Sequence, residues 1–257
     1  MSPIELAIIG IFGLWIGWLI DWIVNQMPRE DHWHNPGVCP NCGEKHQNWL
    51  RWIPILRHVG REKCPGCDHL YGRRGFIIEL VTAVSILVIA QVFGWSWMML
   101  WYILTVIILV PIATIDIEFQ IIPDSLLLFG LIPLAGLWIT NYSSELLTFI
   151  IGGLVLGLGL LTVSIVGRWI YKQDVMGFGD VKFVAWMGLI LGWKIGLVAL
   201  GLGFLLATAV FLVLMPLGKV RLKQEVPFGP FLVGGMFLGM VYGRTLLDWY
   251  LNNFVYI

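Results

Sequence analysis

Apolar runs long enough to cross a bilayer recur along most of this chain, and they leave few folds open. A helix spanning about 30 Å of hydrocarbon needs about 20 mostly apolar residues. Residues 4–24 meet that requirement, and further runs cover about 76–94, 97–115, 125–140, 146–170, 181–193, 195–215 and 229–247. Of all residues, 58% are hydrophobic and only 12% charged, where a soluble domain carries about 25% charge. Mean hydropathy is +0.84. One water-soluble core cannot hide that much apolar surface. The expected fold is therefore an all-α polytopic membrane protein of about eight transmembrane helices, because only helices satisfy their own backbone within a hydrocarbon layer. The run 181–193 is short and is expected to tilt or to span only in part. The first run has no early Lys or Arg and no small-residue cleavage site after it, which reads as a retained span rather than a signal peptide.

The one long polar stretch, 27–75, separates the first span (1–26) from the remainder (76–257). It holds all four cysteines and all five histidines, and eight of the 16 Lys and Arg residues fall between Arg29 and Arg74. Formal net charge is zero, and basic charge clustered beside a span favours a membrane-flanking domain over a nucleic-acid site. If this domain is cytosolic, eight spans put the loops near 116–124, 168–180 and 216–228 on the same side. Every Lys and Arg except Lys194 and Arg244 then lies inside, as the positive-inside rule requires. Both termini are then expected on the other side, and the location is an inner membrane.

Cys39 and Cys42 form CPNC and, after 21 intervening residues, Cys64 and Cys67 form CPGC. Paired knuckles of this kind suit tetrahedral structural zinc, each turn offering two thiolates. Two disulfides or two free pairs are the alternatives, and a cytosolic setting argues against disulfides. Four cysteines leave no open coordination position, so a catalytic zinc is not expected. The histidines read as surface groups.

Ionisable residues beside lipid are expensive and mark functional sites by default. Asp116 closes the run 97–115, and Asp180 stands in MGFGDVK (176–182), behind Gly177 and Gly179. The topology brings both acids to one cytosolic face. Two carboxylates in one site share a proton, so the pair can activate a water and protonate a leaving amine. Gly177 and Gly179 would permit close backbone approach. Plainer readings compete. Asp180 suits an N-cap, as does Asp124 after Pro123. Asp116 and Glu118 could be interfacial. Lys182 could be an anchor for phosphate headgroups or a counter-charge for the site. Asp21, inside the first run, reads as a residue snorkelling to headgroups, with helix packing or methyl-donor binding as the other readings.

IDIEFQIIPD (115–124), MGFGDVK and PFGPFL (227–232), in that order and after two CxxC pairs, resemble the type IV prepilin peptidases. These are leader peptidases and N-methyltransferases of the GxGD aspartic protease class. The resemblance extends over nearly the whole chain. It implies that Asp116 and Asp180 are the catalytic pair, with Asp124 in a supporting role. It implies a prepilin or pseudopilin substrate, with a short basic leader on the cytosolic side and an apolar helix in the bilayer. It further implies methylation of the new N-terminus with S-adenosylmethionine. The methyltransferase motifs depart from the family. GWLIDWIVNQMP (17–28) stands where a GSFLNVVIxRxP-like run is usual, with Trp18 for Ser and Asp21 for Asn. RGFIIE (74–79) stands for RYPxVE and keeps Arg74 and Glu79, which are the expected residues of the methyl-donor region. A peptidase without methyl transfer is one alternative. A carboxylate-lined transporter is another, though no internal repeat supports it. A zinc-knuckle scaffold that has lost catalysis is the third.

Overall fold

The computed structural model of the chain describes residues 1–26, 53–55, 73–140, 146–172, 176–218 and 226–255. The regular elements among them are helices: α1 (Pro3–Gln26), α2 (Arg73–Phe93), α3 (Trp97–Phe119), α4 (Asp124–Phe129), α5 (Leu131–Thr140), α6 (Leu146–Tyr171), α7 (Phe178–Leu214) and α8 (Gly229–Phe254). By length and composition α1, α2, α3, α6, α7 and α8 can each cross a membrane. All four cysteines and all five histidines lie outside the described residues. The chain divides into two compact units, Met1–Met99 and Leu100–Ile257.

In the first unit α1 and α2 pack closely along their length. Between apolar helices in lipid, association rests on van der Waals contact and interhelical polar bonds rather than on the hydrophobic effect, so small residues mark the crossing. Gly17 marks it here, since a Cβ at that position would lie 2.6 Å from the Glu79 Cα. α2 begins at Arg73, one turn earlier than the apolar run starting at 76 suggests. Arg74, within the stretch 27–75, is therefore already helical, and Glu79 lies in α2 as the run 76–94 predicts.

In the second unit α6 packs on α7 and α7 on α8. Phe183 and Met187 of α7, Leu156 of α6 and Leu232 and Met236 of α8 are fully buried. The run 125–140 is helical as expected, over Asp124–Thr140, with a one-residue interruption whose backbone dihedrals stay helical. Pro133 has no N–H to give the Phe129 carbonyl, and the chain divides into α4 and α5 at Gly130. The Trp186 indole packs against that break and donates from Nε1 to the Gly130 carbonyl at 3.1 Å.

The runs 181–193 and 195–215 are two helices, as expected, taken together as α7, and they meet at Gly192 rather than at Lys194. Gly192 has φ 73° and ψ 171°, a region essentially reserved for glycine. Its effect is a reversal of direction. A Cβ on Gly196 would lie 3.6 Å from the Gly188 Cα, whereas residues eight apart in a straight helix are about 12 Å apart. The second half of α7 then runs antiparallel to α8, with Ile195 against Gly243, Ala199 against Gly239 and Phe231 against Gly203.

Candidate active site

The second unit brings three helix ends together around Asp116. Asp116 does not end its helix. α3 continues one turn further to Phe119 and stops at Gln120, whose φ of 55° is left-handed. The Asp116 side of that last turn is covered, and the residue is only 5% exposed. Its Oδ2 accepts a hydrogen bond from the Gly229 N–H at 2.8 Å. Gly229 is the first residue of α8, where backbone N–H groups lack helical partners and the helix dipole is positive. A buried carboxylate is thus held by the start of a 26-residue helix. The glycine is required by proximity, because a Cβ there would lie 2.6 Å from Asp116 Oδ2. Phe228 and Phe231, on either side of the Gly229–Pro230 pair, pack at a tilt against Phe204 and Phe211 of α7 at ring separations of 5.2 and 6.3 Å. PFGPFL therefore supplies an amide for Asp116 and two aromatic anchors for that amide. Gly229 was absent from the residues expected to form the site, although its motif was in view.

Asp180 is the third residue of α7, not its N-cap. Gly177 occupies the cap position with extended φ/ψ, and no side-chain cap bond is made. The Asp180 carboxylate turns back toward the Gly177 N–H and lies within electrostatic range of Asp116. The two acids are thus near enough to interact electrostatically, and each lies at or beside the positive end of a helix. Gly179 lets α7 sit close to the connection after α3, with Ile122 Cβ 3.1 Å from where a Cβ would be.

Asp124 and Lys182 have different positions from those expected. Pro123 is the N-cap residue of α4, Asp124 is the first helical residue, and no side-chain cap bond forms. Its carboxylate instead takes Lys182 Nζ on both oxygens, at 2.7 and 2.8 Å. Lys182 lies two residues beyond Asp180, and residues at that spacing face different sides of a helix. It therefore pairs with α4 rather than serving as a counter-charge for the two acids. Glu118 is exposed, in keeping with an interfacial residue.

The first unit holds a second polar group of residues. Asp21 is 7% exposed and lies 3.7 Å from Arg74 Nε. It does not snorkel, because its partner is on the facing helix. Glu79 is fully buried and accepts the Ile55 N–H on Oε2 at 2.7 Å. Arg74 and Glu79 thus lie on the α1 side of α2, and Glu79 already holds the backbone of residue 55. Cys39, Cys42, Cys64 and Cys67 lie outside the described residues.

Comparison with known proteins agrees with this division. The pattern of the type IV leader peptidase family matches residues 103–213, from within α3 to the end of α7. That of the bacterial peptidase A24 N-terminal domain matches residues 11–93, from α1 to the end of α2. The prepilin leader peptidase/N-methyltransferase of Aeromonas hydrophila is 27% identical over 287 residues, covering 97% of this chain and 94% of the relative. That of Legionella pneumophila is 26% identical over 282 residues, covering 95% and 94%. That of Pseudomonas aeruginosa is 28% identical over 222 residues, covering 84% and 74%. No solved structure matches. Membrane-length helices and such relatives make this a multi-pass membrane protein. With both acids inside or beside segments that these patterns describe, and with relatives aligned over nearly its full length, the chain belongs to the type IV leader peptidase family, a family of proteases.

Proposed function

We propose that the protein is a membrane aspartic endopeptidase that removes the short basic leader of prepilins or pseudopilins at the cytosolic membrane face, and then methylates the new N-terminus. The observation that supports the first half is the buried Asp116 carboxylate held by the Gly229 N–H, with Asp180 within electrostatic range of it. One carboxylate, ionised, takes a proton from a water. The water attacks the peptide carbonyl, and the other carboxyl group gives its proton to the departing amine. No acyl-enzyme forms. The Gly229 N–H holds Asp116 in place without competing for its second oxygen. The relatives' names supply the substrate class. Charge distribution supports the cytosolic side, since Lys and Arg crowd the loops at these helix ends.

The membrane topology in this reading has eight passes: α1, α2, α3, α4 with α5, α6, the two halves of α7, and α8. The fold-back at Gly192 supports counting α7 twice. The 27–75 domain holds structural zinc on Cys39, Cys42, Cys64 and Cys67. S-adenosylmethionine supplies the methyl group, and Arg74 and Glu79 belong to the region that receives it. The buried Asp21 and Glu79, with the half-buried Arg74, support a polar site between α1 and α2.

The test is co-expression with a prepilin. Leader removal is expected for the wild type and is expected to be lost in Asp116→Asn and in Asp180→Asn. Normal cleavage by either variant would refute the paired-carboxylate mechanism. Labelled S-adenosylmethionine in the same assay should mark the cleaved pilin, and a cleaved but unlabelled product would confine the protein to proteolysis.

A further inference from the structure

On the peptidase reading, we infer that the Asp124–Lys182 ion pair is a positioning clamp that fixes the roll of the first turn of α7 and so sets the separation of the two catalytic carboxylates. The chain leaves α3 one turn after Asp116, reverses at Gln120 and enters α4 at Asp124. That short connection grips the first turn of α7 at two points. Ile122 lies against Gly179, and Asp124 holds Lys182 through both carboxylate oxygens at 2.7 and 2.8 Å. The lysine stem is steadied in turn by the Phe178 ring, 5.1 Å from Nζ and one helical turn back. Asp180 lies between these gripped residues in sequence, within electrostatic range of Asp116. Two attachments on one turn resist rotation about the helix axis, whereas the Gly179 contact alone would leave that turn free to roll.

The magnitude follows from helix geometry. A carboxylate sits about 5–6 Å from its helix axis, so each 10° of roll moves it by about 1 Å. A displacement of that size at a reacting group can lower a rate by about a hundred-fold. The pair itself is exposed, at 38% for the Lys182 side chain and 65% for that of Asp124, and exposed ion pairs contribute little to global stability. Loss of the clamp should therefore appear in turnover and not in melting temperature.

The experiment uses the full-length protein in membranes with a prepilin substrate. Asp124→Asn and Lys182→Met are each expected to lower kcat by about ten- to a hundred-fold, with KM changed by less than about two-fold and thermal stability unaltered. Lys182→Arg, which keeps the charge, should retain most activity. The exchanged pair Asp124→Lys with Lys182→Asp should recover most of what either single variant loses. Wild-type kcat in the single variants would overturn the inference, as would an exchanged pair no better than they are. A fall in activity that tracks a fall in melting temperature would also overturn it, since that is a structural role. Asp116→Asn, run alongside, separates this inference from the reading beneath it. If that variant is inactive while the clamp variants are normal, only the clamp fails. If it cleaves normally, the peptidase mechanism fails as well.

Discussion

Gly229→Ala places one methyl group where the structure has no room for it. The added Cβ would lie 2.6 Å from Asp116 Oδ2, 2.8 Å from its Cγ and 3.0 Å from its Cβ. The nearest of these falls about 1 Å short of ordinary contact, so either Asp116 or the start of α8 must move. α8 has little freedom to retreat. Leu232 is fully buried one turn on, and the Phe228 ring is fixed against Phe204. The carboxylate is therefore the group that shifts, and it loses the 2.8 Å bond from the Gly229 N–H. A hydrogen bond to a charged group contributes about 1.5–3 kcal/mol, which corresponds to roughly ten- to a hundred-fold in rate if the loss falls on the reacting geometry. Alanine is the better helix former by about 1 kcal/mol, so the intrinsic helical tendency of α8 should not suffer. The assay is single-turnover leader removal with enzyme in excess over prepilin, accompanied by a melting curve. Gly234→Ala is the control, since its Cβ would meet only the flexible end of Leu206, at 3.1 Å. Cleavage by Gly229→Ala within about two-fold of wild type, or an equal loss in Gly234→Ala, would refute the assignment of Gly229 as the holder of Asp116.

Gly192→Ala should destabilise the second unit by about 1–3 kcal/mol, the usual range for a side chain forced into backbone space that only glycine tolerates. Thermal unfolding or protease resistance in detergent would measure it, with Gly201→Ala as a neutral reference because its Cβ would meet nothing within 4 Å. The four cysteines predict about one zinc ion per chain. Metal analysis should find it in the wild type and lose it in Cys39→Ser or Cys64→Ser, and a folded wild-type protein free of metal would contradict the prediction.

Much of the helical framework was legible from hydropathy alone, because membrane-length helices must be nearly continuous apolar runs. Asp116 and Asp180 stood out individually too, since an ionised group beside lipid is costly. What sequence left hidden depends on partners distant along the chain. Asp21 looks like a stray charge until Arg74, on the facing helix, lies 3.7 Å away. Asp124 has the local signature of a helix cap, and only its approach to Lys182 gives the carboxylate a different use. Gly229 is one glycine among 30, and its significance is a backbone N–H, a group every residue but proline carries.

The order of the three motifs along the chain says nothing about the distances between them, and a single residue controls whether they can form one site. Asp180 begins α7, and α8 begins after α7 has ended. Were α7 one straight helix of 37 residues, its far end would lie about 50 Å from Asp180. The start of α8 would then be well beyond reach of Asp116. The reversal at Gly192 brings the chain back to the level it left, so the PFGPFL segment arrives beside the same helix end as the GFGD segment. Gly192 is thus as much a condition of the site as either aspartate, though it touches neither. It acts through backbone geometry, which hydropathy registers only as a brief weakening between two apolar runs.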